Sequence, residues 1–241
     1  SMSMRRKKMP KVYLSPERRP APHAPYYGFP GVYEHDVCVE IGAYCADALT
    51  RCGFDVMVAS PDKTMQERVA ESIAWRSDLH MPIHTNASTA TLKEGSAQGP
   101  TVLRYGKAGG ISDRACQMVY RRLMEIYPRN THRGVYQKDE YCEIGKTPML
   151  SIYPEIAFHD NGQDAIWIVQ NKKRIAEALC KGVCDWFGMT YKEEEKPQTD
   201  YDKLLADLEE VKEKYRTEHA SAQALRGRIL SAIEQYDTAA E

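Results

Sequence analysis

The sequence carries no surplus of charge of either sign. Lysine plus arginine number 33 and aspartate plus glutamate 34, a formal net charge of -1 at pH 7. That balance excludes the broad positive field expected of a nucleic-acid binder or a protein held on an anionic membrane. No apolar run approaches the roughly 20 residues of a spanning helix, and no secretory h-region is seen, so neither a membrane span nor a signal peptide is predicted. There is no CxxC pair among the seven cysteines. An odd count without that spacing argues against a disulfide framework or a zinc knuckle. Cys38, Cys45 and Cys52 recur on one predicted helical face, where small buried thiols in a reducing compartment are expected.

What is present is enough apolar residue, 42% of the chain, for one full core and an appendage. Residues 1–10, with Arg5-Arg6-Lys7-Lys8 and a Ser1 that reads as a cloning remnant, are expected to be a disordered basic start. Strands are predicted at 11–15, 55–59, 78–83, 101–105 and 149–153. Helices are predicted at 34–51, from Thr64 onward with Glu67 completing a capping box, at 112–127, and as one long element at 163–187. Residues 129–147 read as irregular. Alternation of strands and helices predicts an α/β fold: a twisted, mostly parallel sheet flanked by helices on both faces, over residues 11–190.

Residues 191–200 read as a charged linker. Beyond it Tyr201, Leu204, Leu208, Val211, Tyr215, Glu218, Ala222, Leu225, Ile229, Ala232 and Tyr236 alternate in steps of three and four. This heptad seam, over 201–241, predicts a coiled-coil-like helix for oligomerisation or wall binding. Glu218 and Gly227 weaken its middle, so a hairpin folded back on itself stands as the alternative to self-association.

Two runs carry the chemistry: Met81-Pro82-Ile83-His84-Thr85-Asn86-Ala87 and Pro154-Glu155-Ile156-Ala157-Phe158-His159-Asp160-Asn161. Each places an ionisable residue just after a predicted strand, and ligands collect at the carboxyl ends of strands in open α/β sheets. A catalytic zinc site needs nitrogen and oxygen ligands with one position open to water, and a further carboxylate to move the proton. His84 and Glu155 are two candidates. Glu34, in the first turn of a helix, is a third, although the helix dipole alone favours a carboxylate there. His23, in the proline-rich loop between the first strand and that helix, is the fourth. His80 shares a strand face with His84 and is a candidate for supporting a ligand or lining the site.

Val12-Tyr13-Leu14-Ser15-Pro16, Tyr33-Glu34, the run from Asp78 to Ala87, and Glu155 to Asn161 with Asp164 occur in that order. Together, over about residues 11–189, they resemble the zinc-dependent N-acetylmuramoyl-L-alanine amidases of bacteria and their phages. The Ser15-Pro16 opening is like the phage and prophage lysin branch. The resemblance implies one zinc ion and hydrolysis of the amide between muramic acid and L-alanine in bacterial peptidoglycan. It assigns Glu34 and His84 as ligands and Glu155 as general acid/base. It leaves Asn86, His80, His159 and Asn161 as supporting or substrate-side residues. The family's first histidine ligand follows the first strand directly; here that stretch reads Ser15-Pro16-Glu17-Arg18-Arg19, so His23 is expected to serve, with Glu17 as the substitute. Segments 88–99 and 129–147 are expected to wall the groove. The implied setting is a lysin kept in the cytoplasm until it reaches the wall, partnered by peptidoglycan and by its own copies. A fold that binds wall without cleaving it, and a zinc peptidase acting on the stem peptide, are the competing readings.

Overall fold

The computed structural model describes residues 9–18, 24–89, 91–194 and 200–238, with side chains of the last stretch at 203–231. Residues 1–8, His23 and the second half of the expected linker, 195–199, lie outside these. The chain divides into two units, residues 1–194 and 195–241.

In the first unit β1 (Lys11–Pro16), β2 (Asp55–Val58), β3 (Leu79–Asn86), β4 (Thr101–Arg104), β5 (Gly134–Gln137), β6 (Leu150–Ser151) and β7 (Tyr153–Phe158) form one sheet. Its order is β2-β1-β3-β7-β4-β5, with β6 beside β3. Every pairing is parallel except β4 with β7. The helices are α1 (Glu34–Arg51), α2 (Met65–Trp75), α3 (Ile111–Ile126), α4 (Cys142–Gly145), α5 (Gly162–Gln170) and α6 (Lys172–Phe187). The expected α/β architecture is the one found.

Strand periodicity decides what each face receives. Val12 and Leu14 of β1, and Leu79, Met81 and Ile83 of β3, are completely buried in one apolar cluster with residues of α1, α3 and α6. Each such aliphatic side chain contributes about 1.5–3 kcal/mol by leaving water. Helices α3 and α6 touch closely because residue 182 is glycine: a Cβ there would lie 2.6 Å from the Val119 Cα. The alternate residues, Tyr13 and Ser15 of β1 with His80 of β3, meet α2 and α4. Tyr13 Oη donates to Glu71 at 2.5 Å, and Ser15 Oγ donates to Glu143 at 2.5 Å. The α2 capping box forms as the sequence predicts, with Glu67 N donating to Thr64 Oγ1 and Thr64 N to Glu67 Oε2. Six of the seven cysteines are buried and all are free thiols; Cys142 is half-buried.

Four expected boundaries shift. Neither His84 nor Glu155 follows its strand: both lie within one, on β3 and β7. Pro154 reads as a strand end because it has no N–H to give, yet pairing of β7 to β3 starts at the next residue, Glu155. Residues 129–147 are not irregular throughout, since they hold β5 and α4. The helix expected over 163–187 is two, broken at Asn171, whose side-chain amide donates to the Trp167 carbonyl at 2.8 Å. An asparagine that bonds local backbone in this way competes with the helical ladder.

Among its described residues the second unit is a single helix, α7 (Asp200–Thr238), unbroken through Glu218 and Gly227, so the folded-back hairpin is not what the sequence adopts. Leu204, Leu208, Val211, Tyr215, Leu225 and Ile229 are exposed on it. Among the described residues no helix is long and apolar enough to cross a membrane.

Candidate active site

Strand register assembles the site. Tyr13 pairs with His80, Ser15 with Pro82 and Pro16 with Ile83; one further step sets Glu17 beside His84, and Glu17 N donates to the Ile83 carbonyl at 3.1 Å. On the other flank His84 pairs with Glu155 of β7. Adjacent strands are about 4.8 Å apart, so Glu17, just past the end of β1, His84 of β3 and Glu155 of β7 form one row. Glu34 comes to the same place from the first turn of α1. It is buried, and its Oε1 accepts from Thr85 N at 2.8 Å.

His84 Nδ1 lies 2.9 Å from Glu17 Oε2 and 3.3 Å from Glu34 Oε1. Among the described residues Glu17, Glu34 and His84 form a group whose potential donor atoms all lie within 4.8 Å of one another. The imidazole is stacked on the Tyr153 ring, centroids 4.6 Å apart, which fixes its plane. The charges respond to this crowding. Burial works against the His84 cation, but hydrogen bonds to Glu17 and Glu34 prevail and hold its pKa well above the usual histidine value. For Glu17 burial pushes upward, and the His84 contact outweighs it, leaving the carboxyl below its ordinary value. Glu155 has no such contact. Burial pushes its pKa up to about 8, Glu34 and Glu17 add to the rise, and His84 only partly offsets it. Its Oε2 is buried without a hydrogen-bond partner.

These residues line a cleft of about 570 Å³ together with Arg18, Met65, Asn86, Tyr141 and Glu143. Of the expected walls, 129–147 supplies Glu140 to Glu143. Among the described residues, none of segment 88–99 lines the cleft. The segment is tied down instead to Asp160, which accepts from Ser88 N and Thr89 N at 2.8 Å each.

The structure therefore brings Glu34, His84 and Glu155 together and adds Glu17. His23 lies outside the described residues. His80 is not at the cleft: it is completely buried, with Nε2 3.0 Å from Glu143 Oε1 and its ring stacked on Tyr13. His159 is buried behind Thr85, with Nδ1 2.9 Å from the threonine hydroxyl, and so supports the residue whose N–H holds Glu34. Asn161 caps α5, accepting from Asp164 N and donating to the Gly95 carbonyl. Asn86 lines the cleft, its Oδ1 taking the Ala87 N–H. Sequence reasoning passed over Arg68 and Glu143. Arg68 is almost wholly buried and donates to Ser15 Oγ, to the Pro16 carbonyl and to the Ser60 carbonyl. Neither residue sits in a motif. The only signal was an arginine inside the buried stripe of an amphipathic helix.

Residues 26–185 match the profile of the N-acetylmuramoyl-L-alanine amidase family. YqiI of Bacillus subtilis (strain 168), an uncharacterized protein, is 26% identical over 163 residues, 65% of this chain and 76% of its own. In fold, the chain is similar to the N-acetylmuramoyl-L-alanine amidase AmiC2 of Nostoc punctiforme (TM-score 0.64, 20% identity, covering 74% of this chain and 97% of that one). It is similar also to the N-acetylmuramoyl-L-alanine amidase of Clostridium difficile 630 (TM-score 0.66, 19% identity, 75% and 97% covered). The catalytic domain of the CD27L endolysin, which targets Clostridia difficile, is more distant in shape (TM-score 0.57, 20% identity, 73% and 97% covered). With two thirds of its length matched by the family profile, the chain belongs to the N-acetylmuramoyl-L-alanine amidases.

Proposed function

We propose that the chain hydrolyses the amide between the lactyl group of N-acetylmuramic acid and L-alanine in bacterial peptidoglycan, with Glu155 as general acid/base beside one divalent cation, zinc by the resemblance. The observation that carries this is the row Glu17–His84–Glu155 with Glu34 above it. Two carboxylates and an imidazole converge, and a third carboxylate, Glu155, with an unpartnered oxygen, stands on the next strand.

The donor set fits such an ion. Glu17, Glu34 and His84 would hold it: carboxylate oxygen and imidazole nitrogen are both suited to zinc, and the buried charges of the two carboxylates balance a divalent ion. When bound, the cation supplies Lewis acidity, activating a water and polarising the scissile carbonyl. The chain's own residues do the rest. Glu155 takes a proton from the attacking water and returns it to the departing alanine nitrogen. Its burial suits that exchange, because a carboxylate in an apolar setting holds a proton more firmly than one in water. Tyr153 keeps the His84 plane fixed, and the Thr85 N–H fixes the Glu34 oxygen. An open cleft admits a polymer.

Glu155→Gln tests the reading. Release of new alanine N-termini from purified peptidoglycan should fall about 10²–10⁴-fold, with the fold and cation binding retained. Cleavage at the wild-type rate would sink the role of Glu155. Mass analysis of the products separates this reaction from stem-peptide hydrolysis, which leaves muramic acid substituted. The glutamate at position 17, where the family places a histidine, favours a second reading: a protein that binds wall on this fold without cleaving it. The endolysin-type origin rests on the Ser15-Pro16 opening, and self-association of α7 on its exposed heptad residues. Truncation near Lys196 should lower the mass in solution if that association occurs.

A further inference from the structure

The first donor position is built with more care than a surface glutamate needs. Glu17 is 8% exposed, and its backbone is gripped from both sides. Its N–H donates to the Ile83 carbonyl at 3.1 Å, and the buried His35 meets its carbonyl through Nδ1 at 2.7 Å. The residue before it is held by Arg68, which reaches the Pro16 carbonyl and, at 3.1 Å, Ser15 Oγ. Burying a guanidinium to anchor this turn costs solvation that only a fixed geometry repays. The carboxylate so placed touches His84 Nδ1 at 2.9 Å.

We infer that Glu17 is a resident ligand in place of an imidazole, and that this centre consequently discriminates less sharply between Zn²⁺ and the harder Mn²⁺ than a two-imidazole centre on the same fold. The inference rests on the cation-site reading above. Imidazole nitrogen suits zinc, whereas carboxylate oxygen suits manganese and other hard ions. The charge count also changes: two carboxylates and a neutral imidazole cancel a divalent ion completely, while one carboxylate and two imidazoles leave a net positive charge.

The test is equilibrium binding of Zn²⁺ and Mn²⁺ to the full chain, by chelator competition and by the electron paramagnetic resonance of bound Mn²⁺. Wild type is compared with Glu17→His, Glu17→Gln and His23→Gln, each checked for its fold by circular dichroism. Glu17→Gln should weaken both ions by at least about 10–100-fold, since loss of a ligand's outer-shell partner alone costs that much. Glu17→His should raise the ratio of Zn²⁺ to Mn²⁺ affinity, because imidazole suits zinc and carboxylate suits manganese. His23→Gln should leave both affinities within about twofold. An unchanged ratio in Glu17→His, or loss of binding in His23→Gln with Glu17→Gln unaffected, overturns this inference alone. A wild-type chain that binds neither ion overturns the cation-site reading with it.

Discussion

The two faces of β3 are made from alternate residues of the same strand and are stabilised in opposite ways. Leu79, Met81 and Ile83 are completely buried against apolar side chains; they leave water at a gain, and only shape has to match. His80 and His84 on the other face also lose most of their water, and each is met by carboxylates: His80 by Glu143, His84 by Glu17 and Glu34. Desolvation is similar on both sides while its compensation differs. The first face tolerates any well-packed hydrocarbon of the right volume. The second requires particular partners at particular distances, and that requirement is what makes a reactive site possible.

Truncating the apolar face should have the largest effect. Leu79→Ala is expected to cost about 2–5 kcal/mol in urea unfolding while leaving cation affinity intact; a loss of affinity would show that the two faces are not separable. On the polar face Glu143→Leu removes the acceptor of both Ser15 and His80. It should cost about 1–3 kcal/mol, and His80→Leu in the same chain should recover part of that loss. Full additivity of the two changes would deny the coupling.

The smallest effect is in pH. In the cation-free protein Glu155 keeps its proton to about pH 8, whereas unfolded glutamate releases it near 4.5. The folded state therefore binds more protons across that window, and stability falls as pH rises through it. His84, whose folded pKa is also raised, acts in the same direction: its contribution is complete below about 6.5 and is lost progressively as pH rises from there through the folded value. Melting temperature without cation should thus decline by a few degrees from pH 5.5 to 8, at about 2–4 °C per kcal/mol for a domain of this size. Added zinc should raise it more at pH 8, where ligands deprotonate readily. A flat profile without cation would remove the electrostatic asymmetry between the faces.

Much of this was legible in the sequence. Period-two and helical patterns placed the α/β order, the 34–51 helix and the Thr64 capping box, because those signals are local. His84, Glu34 and Glu155 were legible as a set, since each sits in a distinct motif. Glu17 was read only as a substitute for His23, although its parity with Tyr13 and Ser15 would have put it on the His84 face once the β1–β3 register was known; register is a long-range property that no single segment carries. Arg68 and Glu143 were hidden for the same reason. The break at Asn171 went unread because a continuous apolar stripe conceals one competing side-chain bond.

Gly42 sets one more dimension. It lies about two turns along α1 from Glu34, and a Cβ at this position would come within 2.6 Å of the Pro16 ring. Helix and strand end thus rest against each other where a methyl group is missing. Since Glu34 rides on one and Glu17 follows the other, that single contact acts as the gauge block between the two acidic jaws. The bite of the site is calibrated from a position that never touches its contents.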